Sequence, residues 1–145
     1  ICRIFGPCNF YERSNMPINK NDLAQFYGTE RWHRWSPLFP HLLLTDGAKY
    51  IAENAGEAGA YWLMDAIGSY QPMLIKKPTF RDFQFWQLKV NEDKSATLTC
   101  QSDSDVPPEV TQHIEHTDFD LSEIGMYCMP LGDGRSYTIL LRTEY

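Results

Sequence analysis

The stretch Leu42 to Gln71, LLLTDGAKYIAENAGEAGAYWLMDAIGSYQ, reads as a strand end, a capped helix, a glycine-rich break and a second helix. Leu42 to Leu44 is too short for anything but a brief strand or extended entry. Thr45-Asp46-Gly47 stops that entry and starts the first helix. A Thr or Asp oxygen accepts from the orphan amides of a helix start, and Gly permits a tight approach. Ala48, Ile51, Ala52 and Ala55 then line one side. Gly56-Glu57-Ala58-Gly59 interrupts the pattern, and Ala60, Leu63, Met64, Ile67 and Tyr70 resume it as a buried stripe. Pro72 is expected to end this second helix, because it lacks the amide that would continue it. The run AGAYWLMDAI holds one charge, Asp65, which must face water or find a partner.

On the N-terminal side, Asn19 and Asp22 stand at helix-start positions ahead of Leu23, Phe26 and Tyr27, predicting a short helix that ends at Gly28. Arg31-Trp32-His33-Arg34-Trp35 follows, and then Pro37 and Pro40 forbid long regular structure. On the C-terminal side the period changes to two. Trp86, Leu88 and Val90 face one way, with Phe83 and Phe85 on the other side; Ala96, Leu98 and Cys100 form a second set, and Val110 and Ile114 a third. Asn91-Glu92-Asp93-Lys94 is a hairpin turn between the first two sets. Asp120 is expected to cap a short helix carrying Leu121, Ile124 and Tyr127, and Tyr137, Ile139 and Leu141 share a face of a last strand. Helices come early and strands late, with short turns between strands. The expected fold is α+β: an antiparallel sheet of four to five strands with two or three helices packed on one face.

The chain has 145 residues, the size of one domain, and its aromatic content of 14% argues against disorder. No apolar run approaches the roughly 20 residues needed to span a bilayer, so no membrane association is expected. Residues 1–15 precede Met16-Pro17 and are read as an arm or upstream extension, leaving 16–145 as a single α+β domain. The arm lacks a long apolar core followed by a small-residue cleavage site, so a secretory signal is not expected. Cys2 and Cys8 lie in the arm, while Cys100 and Cys128 lie inside apolar patterns as small buried hydrophobes. That spacing builds no disulfide scaffold or zinc site, and a reducing cytoplasm fits it.

The net charge is -6, and its distribution is uneven. Between Lys94 and Arg135 there is no Lys or Arg, but there are eight acids: Asp103, Asp105, Glu109, Glu115, Asp118, Asp120, Glu123 and Asp133. An acidic lobe is either a solvated face, a surface that repels nucleic acid, or a set of carboxylates offered to the basic groove of a nucleic-acid-binding partner.

The chemistry-bearing patterns are sparse. His113 and His116 are three apart, which on a strand points them to opposite faces, so a shared ion would need a bulge and further ligands. Asp103-Ser104-Asp105 opens like a calcium loop but lacks its glycine and runs into Pro107-Pro108. Ser69 lies inside a helical pattern and not at a nucleophile elbow. Neither a cofactor nor a catalytic residue is expected. The Arg31 to Trp35 cluster has three readings: a grip on phosphate and bases, an anchor for a protein interface, or tryptophans covering the core while the cations reach solvent.

Six phrases occur in order: Phe26-Tyr27-Gly28-Thr29-Glu30, Leu44-Thr45-Asp46-Gly47-Ala48-Lys49-Tyr50, Ala60-Tyr61-Trp62-Leu63-Met64-Asp65, Phe85-Trp86-Gln87-Leu88-Lys89-Val90, Thr117-Asp118-Phe119-Asp120-Leu121 and Thr143-Glu144-Tyr145. As a set they resemble a family of small prokaryotic proteins of unknown function found in bacterial genomes and on phage and plasmid-like elements. The resemblance covers about residues 16–145, and the chain departs from it at Gly56-Glu57 and at Met129-Pro130-Leu131-Gly132. It implies no catalytic residue. It does imply an accessory protein of mobile elements, a class that often binds and blocks host machinery, including nucleic-acid-targeting immune complexes.

The leading expectation is a non-enzymatic protein-binding protein, an inhibitor of such a complex. Its contact surface is Asp103, Asp105, Glu109, Glu115, Asp118 and Asp120, or Trp32 and Trp35. The first alternative is a small-molecule-binding domain or enzyme with a pocket between helices and sheet lined by Tyr61, Trp62, Asp65 and Trp86. The second is a single-stranded nucleic-acid binder using Arg31 to Trp35, which the overall charge disfavours.

Overall fold

A computed structural model describes residues 17–145. The expected arm, with Cys2 and Cys8, lies outside them. The elements are α1 (Lys20–Leu23), β1 (Leu42–Leu44), α2 (Asp46–Asn54), α3 (Tyr61–Leu74), α4 (Pro78–Arg81), β2 (Gln84–Val90), β3 (Ala96–Gln101), β4 (Val110–Ile114), β5 (Glu123–Pro130) and β6 (Tyr137–Leu141), closed by a 3-10 turn Arg142–Glu144. The fold is mixed α+β. Its sheet has six strands in the order β1-β6-β5-β2-β3-β4. Every pairing is antiparallel except β1 with β6, where Leu42 to Leu44 run parallel to Tyr137 to Ile139.

Alternation decides the sheet faces. Gln84, Trp86 and Leu88 of β2 point inward with Ala96, Leu98 and Cys100 of β3, Ile124, Met126 and Cys128 of β5, and Ile139 and Leu141 of β6. Onto this face α2 lays Ala48, Ile51 and Ala52, and α3 lays Leu63, Met64 and Ile67, in one cluster reaching from Ile18 to Leu141. The opposite face carries Phe83, Phe85 and Tyr127 with Tyr145, whose rings contact one another at 4.8 to 6.0 Å between centroids.

The glycine break is real and has a steric cause. Gly56 and Gly59 have φ of +74° and +81°, values that only glycine adopts freely, and a methyl group on Gly59 would collide with the Ala52 carbonyl. The chain thus doubles back between α2 and α3, with Ala60 N donating to Ala52 O at 2.8 Å.

Four expectations are corrected. The helix after Asn19 keeps its capping box with Asp22 but stops at Leu23, so the Phe26 and Tyr27 spacing belongs to a loop. Pro72 does not end the second helix, which runs to Leu74. Only the last turn is affected by its missing amide, and burial of Leu74 is worth about 2 kcal/mol against that loss. Asp120 caps no helix. Leu121, Ile124 and Tyr127 match a helical spacing, but Ile124, Met126 and Cys128 alternate into the core, and burial on a period of two prevails. That strand, together with the parallel β1, raises the sheet above the four to five antiparallel strands expected.

Candidate functional site

β4 is one border of the sheet, and its hydrogen-bond parity can be worked out from the hairpin before it. Asn91 N donates to Ser95 O at 2.8 Å, which makes the alternate pairs Lys89 with Thr97 and Gln87 with Thr99 the hydrogen-bonded ones between β2 and β3. Ala96, Leu98 and Cys100 therefore turn their backbone groups toward β4, where they meet Ile114, Gln112 and Val110. Thr111 and His113 of β4 aim their N–H and C=O groups away from the sheet. Among the described residues nothing pairs with them.

Four of the six expected acids flank this edge. Asp103 and Asp105 stand exposed on the loop before β4, whose closure is made by Gln101 Nε2 donating to Val106 O at 2.7 Å. Glu109 precedes the strand and pairs with Lys77 at 3.3 Å; Glu115 follows it, exposed. A five-residue strand spans about 17 Å, so carboxylates mark both ends of a neutral centre, Thr111-Gln112-His113. Asp118 and Asp120 have different tasks. Asp120 Oδ2 accepts from Ile18 N at 3.1 Å and Gly56 N at 3.0 Å, and Asp118 Oδ2 accepts from Glu57 N at 2.8 Å. They clasp the glycine turn between α2 and α3.

The Arg31 to Trp35 segment is split by an extended backbone. His33 bridges Leu44 in antiparallel fashion and extends the opposite border of the sheet. Its Nε2 lies 2.8 Å from Asp46 Oδ1. Trp35 donates from Nε1 to Asp65 at 2.9 Å and packs on Phe39 at 5.6 Å, so the lone charge of the apolar helix has its partner. Trp32 is 48% exposed, and Arg31 and Arg34 are exposed.

Tyr61, Trp62, Asp65 and Trp86 do not line one pocket. Trp86 is fully buried beside Tyr70, with Nε1 donating to Gln84, and Gln84 in turn pairs with Gln71. Burial raises the Tyr61 phenol above its ordinary range, with Glu53 adding to the effect. Trp62 borders a hollow of about 400 Å³ with Ile114, His116 and Asp118. A second cleft, about 420 Å³, lies against a different stripe of α3. Gly68, Gln71, Pro72 and Ile75 at helical spacing form one wall, Leu38 to Leu42 a second, and Tyr137 with Arg135 the end. In the sequence, Leu38 to Leu42 signals only broken structure, and nothing in it points to a wall.

Among the described residues no three His, Cys, Asp or Glu side chains come together as a metal site requires. No described helix is long and apolar enough to cross a membrane.

A family model described as a family of unknown function, DUF6876, matches residues 18–145. The chain belongs to that family. No curated protein and no solved structure matches it.

The phrases that carry the family resemblance are joined in space. Asp46 N donates to Thr29 Oγ1 at 2.9 Å, and Asp46 Oδ2 accepts from Glu30 N at 3.0 Å. Glu144, from the closing Thr143-Glu144-Tyr145, accepts from Thr45 Oγ1 at 2.6 Å, Gly47 N at 3.0 Å and Leu141 N at 2.9 Å. The phrases around Thr29, Thr45 and Glu144 thus build one hydrogen-bonded knot at the start of α2. Hydrogen bonds from His33 and then from the Glu30 amide hold the Asp46 carboxyl below its usual range. Thr117 to Leu121 forms the clasp on Gly56 and Glu57. These contacts fasten elements together; of the six expected acids, Asp103, Asp105 and Glu115 take no part in such fastening, and Glu109 pairs with Lys77.

Proposed function

We propose that this DUF6876 protein is a non-enzymatic binding protein that receives an extended, basic segment of a partner protein on the β4 edge. The observation that carries this reading is the pair of outward-facing residues, Thr111 and His113, set between Asp103, Asp105 and Glu109 on one side and Glu115 on the other. A strand added there gains main-chain hydrogen bonds, and the flanking carboxylates select for lysine and arginine. Self-pairing is opposed by the same charges. Two copies aligned antiparallel about Gln112 would set Glu109 of each opposite Glu115 of the other, which is destabilising. The finer form of the reading is an accessory protein of a mobile element that occupies a basic surface of a host nucleic-acid-targeting complex and so inhibits it.

The test uses a fluorescent peptide alternating lysine with threonine and valine. Saturable binding is expected, weakening as salt rises and falling at least tenfold in the variant Asp103→Lys, Asp105→Lys, Glu109→Lys, Glu115→Lys. Equal binding of the lysine peptide and a glutamate counterpart would overturn the proposal.

A further inference from the structure

The structure assigns a second, independent site: we propose that the cleft between α3, Leu38 to Leu42 and β6 binds a small molecule with an apolar body and a single carboxylate head. Its volume of about 420 Å³ falls in the range of small-ligand sites.

The walls are apolar in effect as well as in composition. Leu38, Phe39, Pro40, Leu42, Pro72 and Ile75 contribute hydrocarbon. The uncharged polar side chains along them are already engaged: Ser69 Oγ donates to Ala66 O at 2.7 Å, Gln71 Nε2 to Gln84 Oε1 at 2.8 Å, and Tyr137 Oη to Arg81 O at 2.9 Å. What remains is at the rim. Arg135 and His41 are exposed, and neither side chain has a hydrogen bond or ion pair among the described residues. Asp133, the acid nearest to Arg135 in the chain, turns its Oδ1 to the Arg135 and Ser136 amides at 3.0 and 2.7 Å and makes no ion pair with the guanidinium.

An arginine whose fork is open presents paired donors matched to a carboxylate. Apolar walls with donors at one end fit an anion-headed hydrocarbon or aromatic, and they oppose a cation of the same shape. Shape depends on Gly68: a Cβ there would meet the Phe39 ring at 3.0 Å, so the two walls could not approach as they do. The cleft lies at the β1 and β6 border of the sheet, opposite β4, so the two sites can be tested separately.

Decanoate, decanol and decyltrimethylammonium serve as probes. Trp35, packed on Phe39 at 5.6 Å between ring centroids, supplies a fluorescence signal, and amide shifts at Gly68, Gln71 and Arg135 give the location. The expected order is decanoate tightest and the cation weakest. Arg135→Glu should weaken decanoate at least tenfold while leaving decanol within twofold. Ser69→Trp, an exposed position that fills the cleft, should abolish both, with unchanged circular dichroism as the check on folding. The proposal is overturned if decanol matches decanoate, if Arg135→Glu leaves decanoate unaffected, or if no probe saturates. It is also overturned if the probes bind only by dissociating a dimer, which would make a second copy the occupant.

Discussion

Glu144 does more than its place in the last three residues announces. One carboxylate satisfies the Gly47 amide at the start of α2, the Leu141 amide and the Thr45 hydroxyl. Its charge also lies at the positive end of the helix dipole. Glu144→Ala should lower stability by about 1–2 kcal/mol, read as a drop in urea midpoint; an unchanged midpoint would mean the contacts contribute nothing. Asp46 makes a pH-dependent contribution. Its folded pKa is depressed, so the stabilisation is present above the ordinary carboxylate value of about 3.9 and is lost as pH falls through the lower folded value. The gap in stability between the native chain and Asp46→Asn should therefore narrow as pH falls below about 4, whereas a gap that stays constant there would assign the pair no electrostatic role. Cys100 and Cys128 are buried, and burial pushes the Cys100 thiol up to about 12 and the Cys128 thiol up as well. Peptide mapping after iodoacetamide treatment at pH 8 should find both unlabelled until denaturant is added; native-state labelling at Cys128 would refute the burial. The inert reading of these cysteines was legible from their alternation with Leu98 and Met126, but the role of Glu144 was not, because it depends on a contact between residues almost a hundred positions apart.

Among the elements, the break between α2 and α3 is the most exacting. Gly59→Ala forces a side chain into the left-handed region and against the Ala52 carbonyl. A loss of more than about 1 kcal/mol is expected, with Ala58→Gly as the mild comparison; thermal unfolding that ranks the two equally would count against the strained turn. The two helices of the opening stretch, the Thr45 cap of the first and the buried stripes of both could be read from the sequence because propensity and period agree there, whereas the end of the second could not. β5 could not, because Leu121, Ile124 and Tyr127 satisfy the helical template as well as Ile124, Met126 and Cys128 satisfy the strand template. Five-residue windows do not separate the two when the deciding fact is a sheet already waiting on either side. The same holds for Leu42 to Leu44, whose parallel pairing with β6 depends on a partner ninety-five residues away. The cleft was equally hidden, since its walls come from a proline-broken loop, one stripe of α3 and the turn before β6.

At the scale of the whole molecule, the sheet has two unlike borders. One carries His33 on Leu44 and adjoins the apolar cleft with Arg135 at its rim. The other, β4, is open and acid-flanked. The charge window in the sequence foretold the acids but not their division, in which Asp118 and Asp120 fasten the helical hinge and Asp103, Asp105, Glu109 and Glu115 border a strand. Electrostatic adhesion to a basic partner and strand addition predict the same salt dependence, so a backbone substitution is needed to separate them. Thr111→Pro removes an outward N–H that makes no bond within the fold, which leaves the sheet intact and the edge without one donor. The decisive measurement is a titration of the isotope-labelled protein with the lysine-alternating peptide, following backbone amides in the native chain and in Thr111→Pro. Shifts centred on Thr111 and His113 in the native chain, with affinity lost at least tenfold in the proline variant, are the predicted result. Shifts confined to the Asp103 to Glu109 loop, or equal affinity in the two chains, would contradict it.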